Sequence, residues 1–550
     1  MHEGFFLPQK LRERLLVGVD YEVARVGGGT LWGNGSDGTG AEPTVTVRWP
    51  RLSPGLWNDV LAGLERQRTL QAGDILSRWQ AALEAVIPTL MTDATTALPS
   101  LCSCTGYSAE MITAALAGGD LVEPEGLSAA MRWRPPLAAT RRWLPVANLP
   151  GRTRFYPHGA AQTARTAALA RIRPTAPLHR PAPPTDLALG FAAGNVPGTA
   201  LIIALLASLA NCAHPALAAP AVLIRNSRHE PLFAPWVLRA VEHIDPELVA
   251  GIALLIWDYD DFALQERLLR NTGLLLAAAG DDTIAALVLV RARCNPTLRF
   301  HAHGHKVSFA ALTYLSPSGP TAPPSEANRG RAEAGDFDAG AGPDLPGLAA
   351  LDSALWDQNG CLSARVHFVE GDADEYAHEL ADRMRVMASM LPRGSTPLRF
   401  THRAFDAFAA LEHSGRVTLL SSYDDPFGAF VDRRTWDPIV LRNVVNACQG
   451  RVVVVRPVND LESEVPATLA MLPASHLQSL SVALDEARLP LLADGVGTCG
   501  VTAIRALGRA AFPRLAYSWD GYLPSDLGYL RPPGHFTTIE FDDLKTELGG

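Results

Sequence analysis

The sequence lacks a long uninterrupted apolar run and a surplus of basic residues. Its most apolar stretch, residues 199–219, is interrupted by Ser208, Asn211 and His214, so it predicts a buried helix rather than a membrane span. The 48 basic residues stand against 57 acidic ones, which gives a net charge of −9, and no basic domain stands out. Nucleic acid and anionic membranes are therefore poor partners for this chain.

The chain also lacks a disulfide framework and a recognisable metal motif. Its seven cysteines are scattered, and the N-terminus has no apolar signal core, so we expect a cytoplasmic protein. Cys102 and Cys104 form a C-x-C without a second ligand pair at a zinc-site spacing. His301, His303 and His305 alternate along one strand, but no carboxylate or thiol partner is implied. We therefore expect no metal.

The composition of the chain and the positions of its Pro-rich and Gly-rich stretches divide it into several parts. Hydrophobic residues make up 47% and charged residues 19% of the 550 residues, enough apolar material for more than one core. A Pro-rich connector at 173–186 marks one boundary, and a stretch rich in Pro, Gly, Ala and acid marks a surface insertion. The expected parts are a helical N-terminal part that packs with the part following it (1–172), an α/β part (187–300), a second α/β part (301–520) with a disordered insertion (316–347), and a C-terminal tail (521–550).

Continuous apolar strands alternate with helical patterns between residues 187 and 300, beginning with "LALGFAAG" and ending after "GLLLAAAG". Such strands are typical of a parallel sheet whose two faces are covered by helices, the architecture of nucleotide-binding domains. Further strands and an amphipathic helix follow, at "ARVHFVEG", "DADEYAHELADRMRVMASM" and "GRVVVVRPV". The pattern predicts an α/β protein with two such units.

Polar residues and glycines follow three of these apolar strands. Asn195 lies in "GNVPG", Arg225, Ser227 and Arg228 end "VLIRNSR", and Gly280 ends "LLLAAAG". The carboxyl ends of parallel strands are where such sheets bind ligands, and two guanidiniums with a hydroxyl suit a phosphate. Each motif alone also fits ordinary turn chemistry or a solvated strand end.

One cysteine lies in a polar turn, within "LWDQNGCLSA". Structural cysteines are usually buried among apolar neighbours, whereas Cys361 is flanked by Asn359-Gly360 and Ser363 and follows a helical pattern, "GLAALDSALWDQ". Cys361 is therefore either an incidental loop residue or a nucleophile presented at a turn. The local sequence leaves both interpretations open.

A literal G-x-G-x-x-G, "GVGTCG" at 495–500, follows an apolar stretch, and Asp520 lies about twenty residues further on. No further strand–helix–strand units follow Asp520, however. We therefore do not expect a dinucleotide site there, and we expect Cys499 to be structural.

The ordered series "GNVPG", "VLIRNS", "AAGDDTI", "GHKVSF" and "DQNGCLS" resembles the LuxC-type fatty acyl-CoA reductases, a branch of the aldehyde dehydrogenase superfamily found in bioluminescence and related pathways. The resemblance runs from "TGYS" at 105–108 to "WDG" at 519–521, about three quarters of the chain. It implies an aldehyde dehydrogenase-like fold with a parallel-sheet cofactor domain and an α/β catalytic domain.

The resemblance also implies roles for particular residues. Cys361 matches the acyl-accepting nucleophile, and Asn195 matches the asparagine whose amide helps to form the oxyanion hole. Arg225 falls where the superfamily usually has a lysine that contacts the adenosine ribose, and Gly280 matches a glycine close to the dinucleotide. Arg228 replaces a glutamate that holds the 2′-hydroxyl in NAD-preferring members, so NADPH is the expected cofactor and NADH the other option.

The sequence departs from the hydrolytic members of the superfamily at Ala302, which takes the place of the glutamate that activates water. Loss of a general base should slow hydrolysis by roughly 10²–10⁴-fold. The resemblance therefore implies NADPH-dependent reduction of a fatty acyl thioester to the aldehyde through an acyl-cysteine. The acyl donor is an acyl-CoA or an acyl-carrier or acyl-synthetase protein, and the enzyme is expected to be a homo-oligomer.

Three alternatives stay open at the level of sequence. They are a cysteine acyltransferase that uses no nicotinamide, a catalytically silent scaffold of an acyl-processing complex, and CoA-acylating aldehyde oxidation in the reverse direction.

Overall fold

The computed structural model describes residues 1–27, 44–117, 124–147, 149–158, 177–315 and 343–541. These residues form two compact units. Unit 1 comprises Met1–His305 and Pro513–Thr538, and unit 2 comprises Lys306–Phe512 with the described residues from Ile539 onward. These bounds differ from the predicted domains, because residues 513–538 belong to unit 1 instead of being divided between a catalytic domain and a tail.

The elements of unit 1 alternate between strands and helices through most of its length. The strands are β1 (His2–Glu3), β2 (Tyr21–Val26), β3 (Val45–Pro50), β4 (Leu144–Pro145), β5 (Arg152–Pro157), β6 (Arg180–Pro181), β7 (Leu187–Phe191), β8 (Ala221–Arg225), β9 (Ile252–Leu255), β10 (Leu274–Ala278) and β11 (Arg299–His303). The helices are α1 (Gln9–Leu15), α2 (Pro54–Gln67), α3 (Ile75–Thr105), α4 (Ala109–Ala117), α5 (Pro124–Arg132), α6 (Thr199–Ser208), α7 (Phe233–Ile244), α8 (Pro246–Val249), α9 (Phe262–Arg270) and α10 (Asp281–Cys294).

Unit 2 has the same kind of alternation. Its strands are β12 (Val307–Tyr314), β13 (Ala364–Gly371), β14 (Val417–Leu419), β15 (Gly428–Asp432), β16 (Val452–Val458), β17 (Leu477–Ala483) and β18 (Ala503–Ala506). Its helices are α11 (Leu345–Ala354), α12 (Ala373–Met390), α13 (Arg399–Glu412), α14 (Pro438–Ala447), α15 (Leu461–Leu469) and α16 (Leu489–Cys499), and the last strands of the chain are β19 (Tyr529–Leu530) and β20 (Gly534–Glu540).

The predicted parallel sheet is present in unit 1. Its strands lie in the order β11-β10-β7-β8-β9, and every neighbouring pair is parallel. Strands β7, β8, β9 and β10 are buried on both faces, which explains their nearly continuous apolar sequences, whereas β11 at the edge is only partly buried. Because β7 lies between β8 and β10, the chain reverses its direction of winding there, and such a switch point opens a crevice at the carboxyl ends of the strands.

The apolar stretch at 199–219 forms a shorter helix than predicted. Helix α6 ends at Ser208, and the residues that follow form turns before β8. The Asn211 side chain donates to the backbone carbonyls of Thr185 and Ala218 and accepts from the Thr185 N–H. These bonds replace a helical continuation, so the polar interruptions of the run decide where the helix stops.

The N-terminal part contains a small sheet as well as the predicted helices. Strands β1, β3 and β2 lie in that order, with β2 antiparallel to β3. Phe6 and Leu254 exchange backbone hydrogen bonds of 2.8 Å, and the Trp79 indole donates to the Ser208 hydroxyl at 3.0 Å. The first contact joins the N-terminal part to the five-stranded parallel sheet of unit 1, and the second joins it to helix α6.

In unit 2, seven strands lie in the order β14-β15-β16-β13-β12-β17-β18. Neighbours are parallel except for the antiparallel pair of β14 with β15. The main core packs α11 and α12 against the buried residues of β12, β13, β15 and β16. The predicted strand "ARVHFVEG" coincides with β13, the strand that follows Cys361 directly.

Residues 316–342 of the predicted insertion lie outside the described residues. Its last three residues, Leu345–Gly347, form the first turn of α11, so the insertion ends earlier than predicted. The Asp344 carboxylate accepts from the Gly347 N–H at 3.0 Å and caps this helix.

The sequence "GVGTCG" occupies the last turns of α16, where Gly500 adopts φ +119° at the helix end. A Cβ added to Gly495 would lie 2.5 Å from Cγ of Pro466, so this glycine permits close packing of α15 against α16. A glycine-rich phosphate loop needs a strand-to-helix turn, which this segment does not form.

The alternating histidines face aromatic side chains of the segment at 513–538. His301 stacks on Tyr522, and His303 stacks on Trp519 and pairs with Asp520 at 2.7 Å. Within the described ranges no three His, Cys, Asp or Glu side chains form a group that could hold a metal. None of the described helices has both the length and the apolarity needed to cross a bilayer.

Candidate active site

The loops after three adjacent strands of unit 1 carry the four residues predicted to bind the cofactor and Asn195, the predicted oxyanion donor. Gly280 follows β10, Asn195 follows β7, and Arg225 ends β8 with Ser227 and Arg228 in the next loop. Since β10, β7 and β8 are neighbours and parallel, all five residues lie along one edge of the sheet. The structure therefore brings them to the edge at which the strand order reverses.

The Asn195 loop is held by a tyrosine that the sequence did not reveal as a contact. The Tyr107 hydroxyl donates to the backbone carbonyl of Asn195 at 2.5 Å, and Tyr107 itself is buried. A Cβ on Gly194 would come within 2.3 Å of the Ser227 hydroxyl, so the loops after β7 and β8 lie against each other. The half-buried Asn195 is thereby held between two fixed segments.

The two arginines of the β8 end have different partners. The Arg225 Nε donates to the Trp257 carbonyl at 3.0 Å, and burial together with the nearby charge of Arg228 lowers the pKa of Arg225. Arg228 pairs with the Asp258 carboxylate at 2.6 Å and lies over the ring of Trp49. The pairing of Arg228 with a carboxylate was not predicted from the sequence.

Two hydrogen-bond donors at this edge have no acceptor among the described residues. They are the indole Nε1 of Trp257 and the Nε of Arg228, and both atoms are buried. A buried donor without a partner is costly, and a ligand rich in acceptors would satisfy it. A nicotinamide dinucleotide, with its ribose hydroxyls and phosphates, is such a ligand.

Two features of the backbone at the strand ends are compatible with a bound phosphate or ribose. A Cβ on Gly280 would meet no atom within 4 Å, so protein packing does not account for this glycine. Gly198 precedes the first residue of helix α6 and has no side chain to cap it, and the first turn of this helix has no acidic residue. Helix α10, by contrast, begins with Asp281 and Asp282. Because carboxylates at a helix N-terminus repel an anion, α6 is the better of the two for phosphate.

A buried carboxylate lies beneath the β8 loop. The Glu230 Oε1 accepts from the Phe233 and Leu232 N–H groups at 2.7 and 3.2 Å, and burial raises the pKa of Glu230 to about 8. The pKa of this carboxyl is higher in the folded protein than in the unfolded chain. Its contribution to the free energy of unfolding is therefore fully present below the pKa of the unfolded chain, and it is lost as the pH rises through the pKa of the folded protein.

We expect Glu230→Gln to flatten the dependence of stability on pH between about 5 and 8. The amide keeps the Oε1 acceptor but has no charge to desolvate, whereas each pH unit in that window costs the wild type up to about 1.4 kcal/mol from this group. Urea unfolding at several pH values measures the effect. Equal slopes for the wild type and Glu230→Gln would contradict this assignment.

Cys361 lies in the turn between α11 and β13 of unit 2, and its side chain is half-buried. The Ser308 hydroxyl donates to the Cys361 carbonyl at 2.7 Å, and the Ser363 N–H donates to the Gly360 carbonyl at 3.1 Å. The backbone of the turn is therefore fixed on both sides of the thiol, while the thiol is not sealed inside the core.

The turn before Cys361 is left-handed instead of helical. The helix predicted over "GLAALDSALWDQ" ends at Ala354, and Trp356, Asp357 and Gln358 have φ values of 56°, 49° and 62°. A non-glycine residue in this region costs about 1–2 kcal/mol, so three in succession persist only where other contacts impose them. Strain of this kind is concentrated at functional sites.

Buried polar contacts impose this conformation. The Asp357 carboxylate accepts from Arg451 Nε at 2.8 Å and from the Gly394 N–H at 3.0 Å, and both Asp357 and Arg451 are almost fully buried. The Gln358 amide exchanges hydrogen bonds with the N–H and the carbonyl of Val452 and also donates to the Ala364 carbonyl. The turn is thus joined to the first residues of β13 and β16.

A buried arginine lies four residues after Cys361. Arg365 is 7% exposed and donates to the Val445 carbonyl at 3.1 Å. Burial lowers the pKa of Arg365, and the thiolates of Cys448 and Cys361 oppose that shift. The interaction is mutual, so the Arg365 charge favours the thiolate of Cys361, which is the nucleophilic form.

Solved structures that are similar to this one include aldehyde dehydrogenases. Aldehyde dehydrogenase 21 of Physcomitrella patens, in complex with succinate, aligns with a TM-score of 0.52 and 10% identity over 90% of this chain and 91% of its own. The NADP-dependent glyceraldehyde-3-phosphate dehydrogenase of Bacillus halodurans, complexed with NADP, aligns with a TM-score of 0.50 and 11% identity over 94% and 95%. The fold is therefore aldehyde dehydrogenase-like.

A family model described as acyl-CoA reductase (LuxC) matches residues 161–526. The chain therefore belongs to the LuxC acyl-CoA reductase family, as the resemblance of its motifs implied. It is an oxidoreductase, and a nicotinamide cofactor is the one expected from its sequence. No curated protein sequence matches the chain.

Proposed function

We propose that this protein reduces a fatty acyl thioester to the aldehyde with NADPH, through an acyl group carried on Cys361. The observation that supports this most directly is the half-exposed Cys361 thiol at the end of a strained, internally anchored turn. Purified protein incubated with acyl-CoAs of several chain lengths should consume NADPH and form one aldehyde for each NADPH oxidised. Consumption of NADPH without aldehyde would argue against the proposal.

In the first half of the reaction, the Cys361 thiolate attacks the thioester carbonyl, and the tetrahedral intermediate expels the donor thiolate. Arg365 favours the attacking thiolate, and Asn195 supplies an amide donor to the oxyanion. One preorganised donor of this kind contributes about 10²–10³ in rate. The product of this half is an acyl-enzyme in which the acyl group is joined to sulfur as a thioester.

In the second half, NADPH would supply the hydride that adds to the acyl carbonyl carbon, and cleavage of the C–S bond would release the aldehyde and return the Cys361 thiolate. The residues of this chain that would hold it are Arg225, Ser227, Arg228 and Gly280, with the unpaired Trp257 indole as a further donor. Ala302 has a methyl group where hydrolytic relatives carry a glutamate, so this position cannot activate water. The acyl-enzyme is thereby spared hydrolysis before reduction.

We expect Arg228→Ala to raise KM for NADPH by about 10–100-fold and to leave KM for NADH almost unchanged. A hydrogen bond to a charged group contributes about 1.5–3 kcal/mol, and only NADPH carries the 2′-phosphate that Arg228 would bind. Initial rates with both cofactors test this. Asp258→Asn is the matched variant, and it should lower KM for NADPH because it removes the carboxylate that competes for Arg228. An equal rise in KM for both cofactors would contradict the assignment.

The alternative functions predict different outcomes from the same preparation. A cysteine acyltransferase would acylate Cys361 and pass the group to an acceptor without using NADPH, and a silent scaffold would leave Cys361 unmodified. CoA-acylating oxidation would run from aldehyde and NADP⁺ to acyl-CoA with the same residues. We favour reduction because the family to which the chain belongs is that of acyl-CoA reductases.

The acyl donor, the cellular location and the oligomeric state follow from the same proposal. The acyl donor is an acyl-CoA or an acyl group on a carrier or synthetase protein, and the enzyme acts as a cytoplasmic homo-oligomer. The 187–300 region holds the cofactor, and the 301–520 region carries the acyl group.

A further inference from the structure

The left-handed turn before Cys361 depends on a charge pair that is remote in sequence. Asp357 and Arg451 are separated by 94 residues, yet their side chains meet at 2.8 Å, with 0% and 1% exposure. Arg451 itself adopts φ +66°, and its Nη2 donates to the Leu391 carbonyl at 2.7 Å. Both partners of the pair therefore lie on strained backbone: Asp357 is four residues before Cys361, and Arg451 directly precedes β16.

The side chains of Gln358 and Asn359 also hold this turn by hydrogen bonds. Gln358 adds three hydrogen bonds to the starts of β13 and β16, and the Asn359 amide donates to the Thr396 hydroxyl at 2.8 Å. Three consecutive side chains before Gly360 thus bind the loop at 394–396 and the starts of β13 and β16. Contacts of this number and direction fix the path of the backbone that enters Cys361.

A buried pair of this kind is not needed for stability alone. Replacing both partners of a buried ion pair by well-packed hydrophobic side chains of similar volume is often neutral or stabilising, whereas removal of one partner is strongly destabilising because it leaves a buried charge unpaired. The positions immediately before a nucleophile determine the direction of its Cα–Cβ bond. A displacement of about 1 Å at a reacting atom can cost about 10²-fold in rate.

We propose that the Asp357–Arg451 pair, together with Gln358, positions the Cys361 thiol for attack by holding the preceding turn in its left-handed form. These residues act through Cys361 and do not touch the substrate. The inference rests on the proposed function for its catalytic consequence. Its structural part, the orientation and accessibility of the thiol, does not.

The experiment compares Asp357→Asn with the double variant Asp357→Asn/Arg451→Gln in the full-length protein. Three quantities are measured: the rate constant for alkylation of Cys361 by iodoacetamide, kcat and KM with acyl-CoA, and Tm. The half-buried Cys499 serves as the internal reference for alkylation. Glu540→Gln is the matched control, because it breaks another buried pair of unit 2, Arg505–Glu540, without touching the turn.

We expect Asp357→Asn to lower Tm and to lower both kcat and the Cys361 alkylation rate by about 10²-fold, with KM and Cys499 alkylation little changed. The double variant should regain Tm because no buried charge is left unpaired, but it should not regain Cys361 reactivity. Glu540→Gln should lower Tm without a selective effect on Cys361. If Asp357→Asn does not fold, Gln358→Met takes its place, with the same selective loss expected.

Recovery of Cys361 reactivity together with Tm in the double variant would overturn the proposal, because the pair would then act on stability alone. A Cys361 alkylation rate unchanged in every folded variant would also overturn it. Alkylation is read without any acyl donor. A wild type that fails to form acyl-Cys361 would therefore refute the proposed function and leave this comparison intact.

Discussion

Replacing Cys361 by alanine should abolish acyl-CoA reduction, lowering kcat by at least about 10⁴-fold. The reason is chemical: without a thiolate there is no covalent acyl-enzyme, and the thioester must react directly in a site built to hold it on sulfur. Thermal stability should change little, because Cys361 is half-buried and its backbone carbonyl, which accepts from the Ser308 hydroxyl, is kept in the variant. Initial rates of NADPH oxidation with an acyl-CoA provide the measurement.

The matched control is Cys499→Ala, which removes another half-buried thiol of unit 2 and should leave kcat unchanged. If Cys361→Ala keeps more than about a tenth of the wild-type rate, covalent catalysis at this residue is wrong. Loss of activity in both variants would indicate general damage to unit 2 in place of a specific role for Cys361.

Replacing Asn195 by alanine should lower kcat by about 10²–10³-fold and change KM for acyl-CoA only slightly. An oxyanion donor binds charge that develops only in the transition state, so its loss appears in kcat. The loop should keep its path in this variant, since the bond from Tyr107 is accepted by the backbone carbonyl of residue 195. Steady-state kinetics over a range of acyl-CoA concentrations separates the two parameters.

Asn271→Ala is the control, because Asn271 is an exposed asparagine of the same unit at the end of α9. It should leave both parameters unchanged. A variant Asn195→Ala in which KM rises and kcat stays the same would assign Asn195 to substrate binding, contrary to the oxyanion role.

The cofactor sheet could be predicted because its strands are buried on both faces. Leu274–Ala278, for example, is apolar at every position, and no other element explains such a short run between two helical patterns. The order of the motifs then identified the family, and Cys361 was proposed as the nucleophile only through that resemblance, because its local sequence left two interpretations open. Local sequence was sufficient for the strands because a buried strand is apolar over a few consecutive residues.

The left-handed turn could not be predicted, because nothing in "LWDQ" distinguishes it from the end of a helix. Its conformation is imposed by Arg451, which lies 94 residues away and immediately precedes an apolar strand. The pairing of Arg228 with Asp258 escaped prediction for the same reason, since the two residues belong to different strand ends. A charged residue at the start of an otherwise apolar strand, as in "GRVVVV", is the one signal that could have drawn attention to Arg451.

The account is tested most directly by the mass of the peptide that contains Cys361. Protein mixed with acyl-CoA in the absence of reductant should gain the mass of one acyl group on that peptide. The modification should disappear, with release of aldehyde, when NADPH is added. A peptide that stays unmodified while the enzyme reduces acyl-CoA, or an acyl group found on a different residue, would contradict the account.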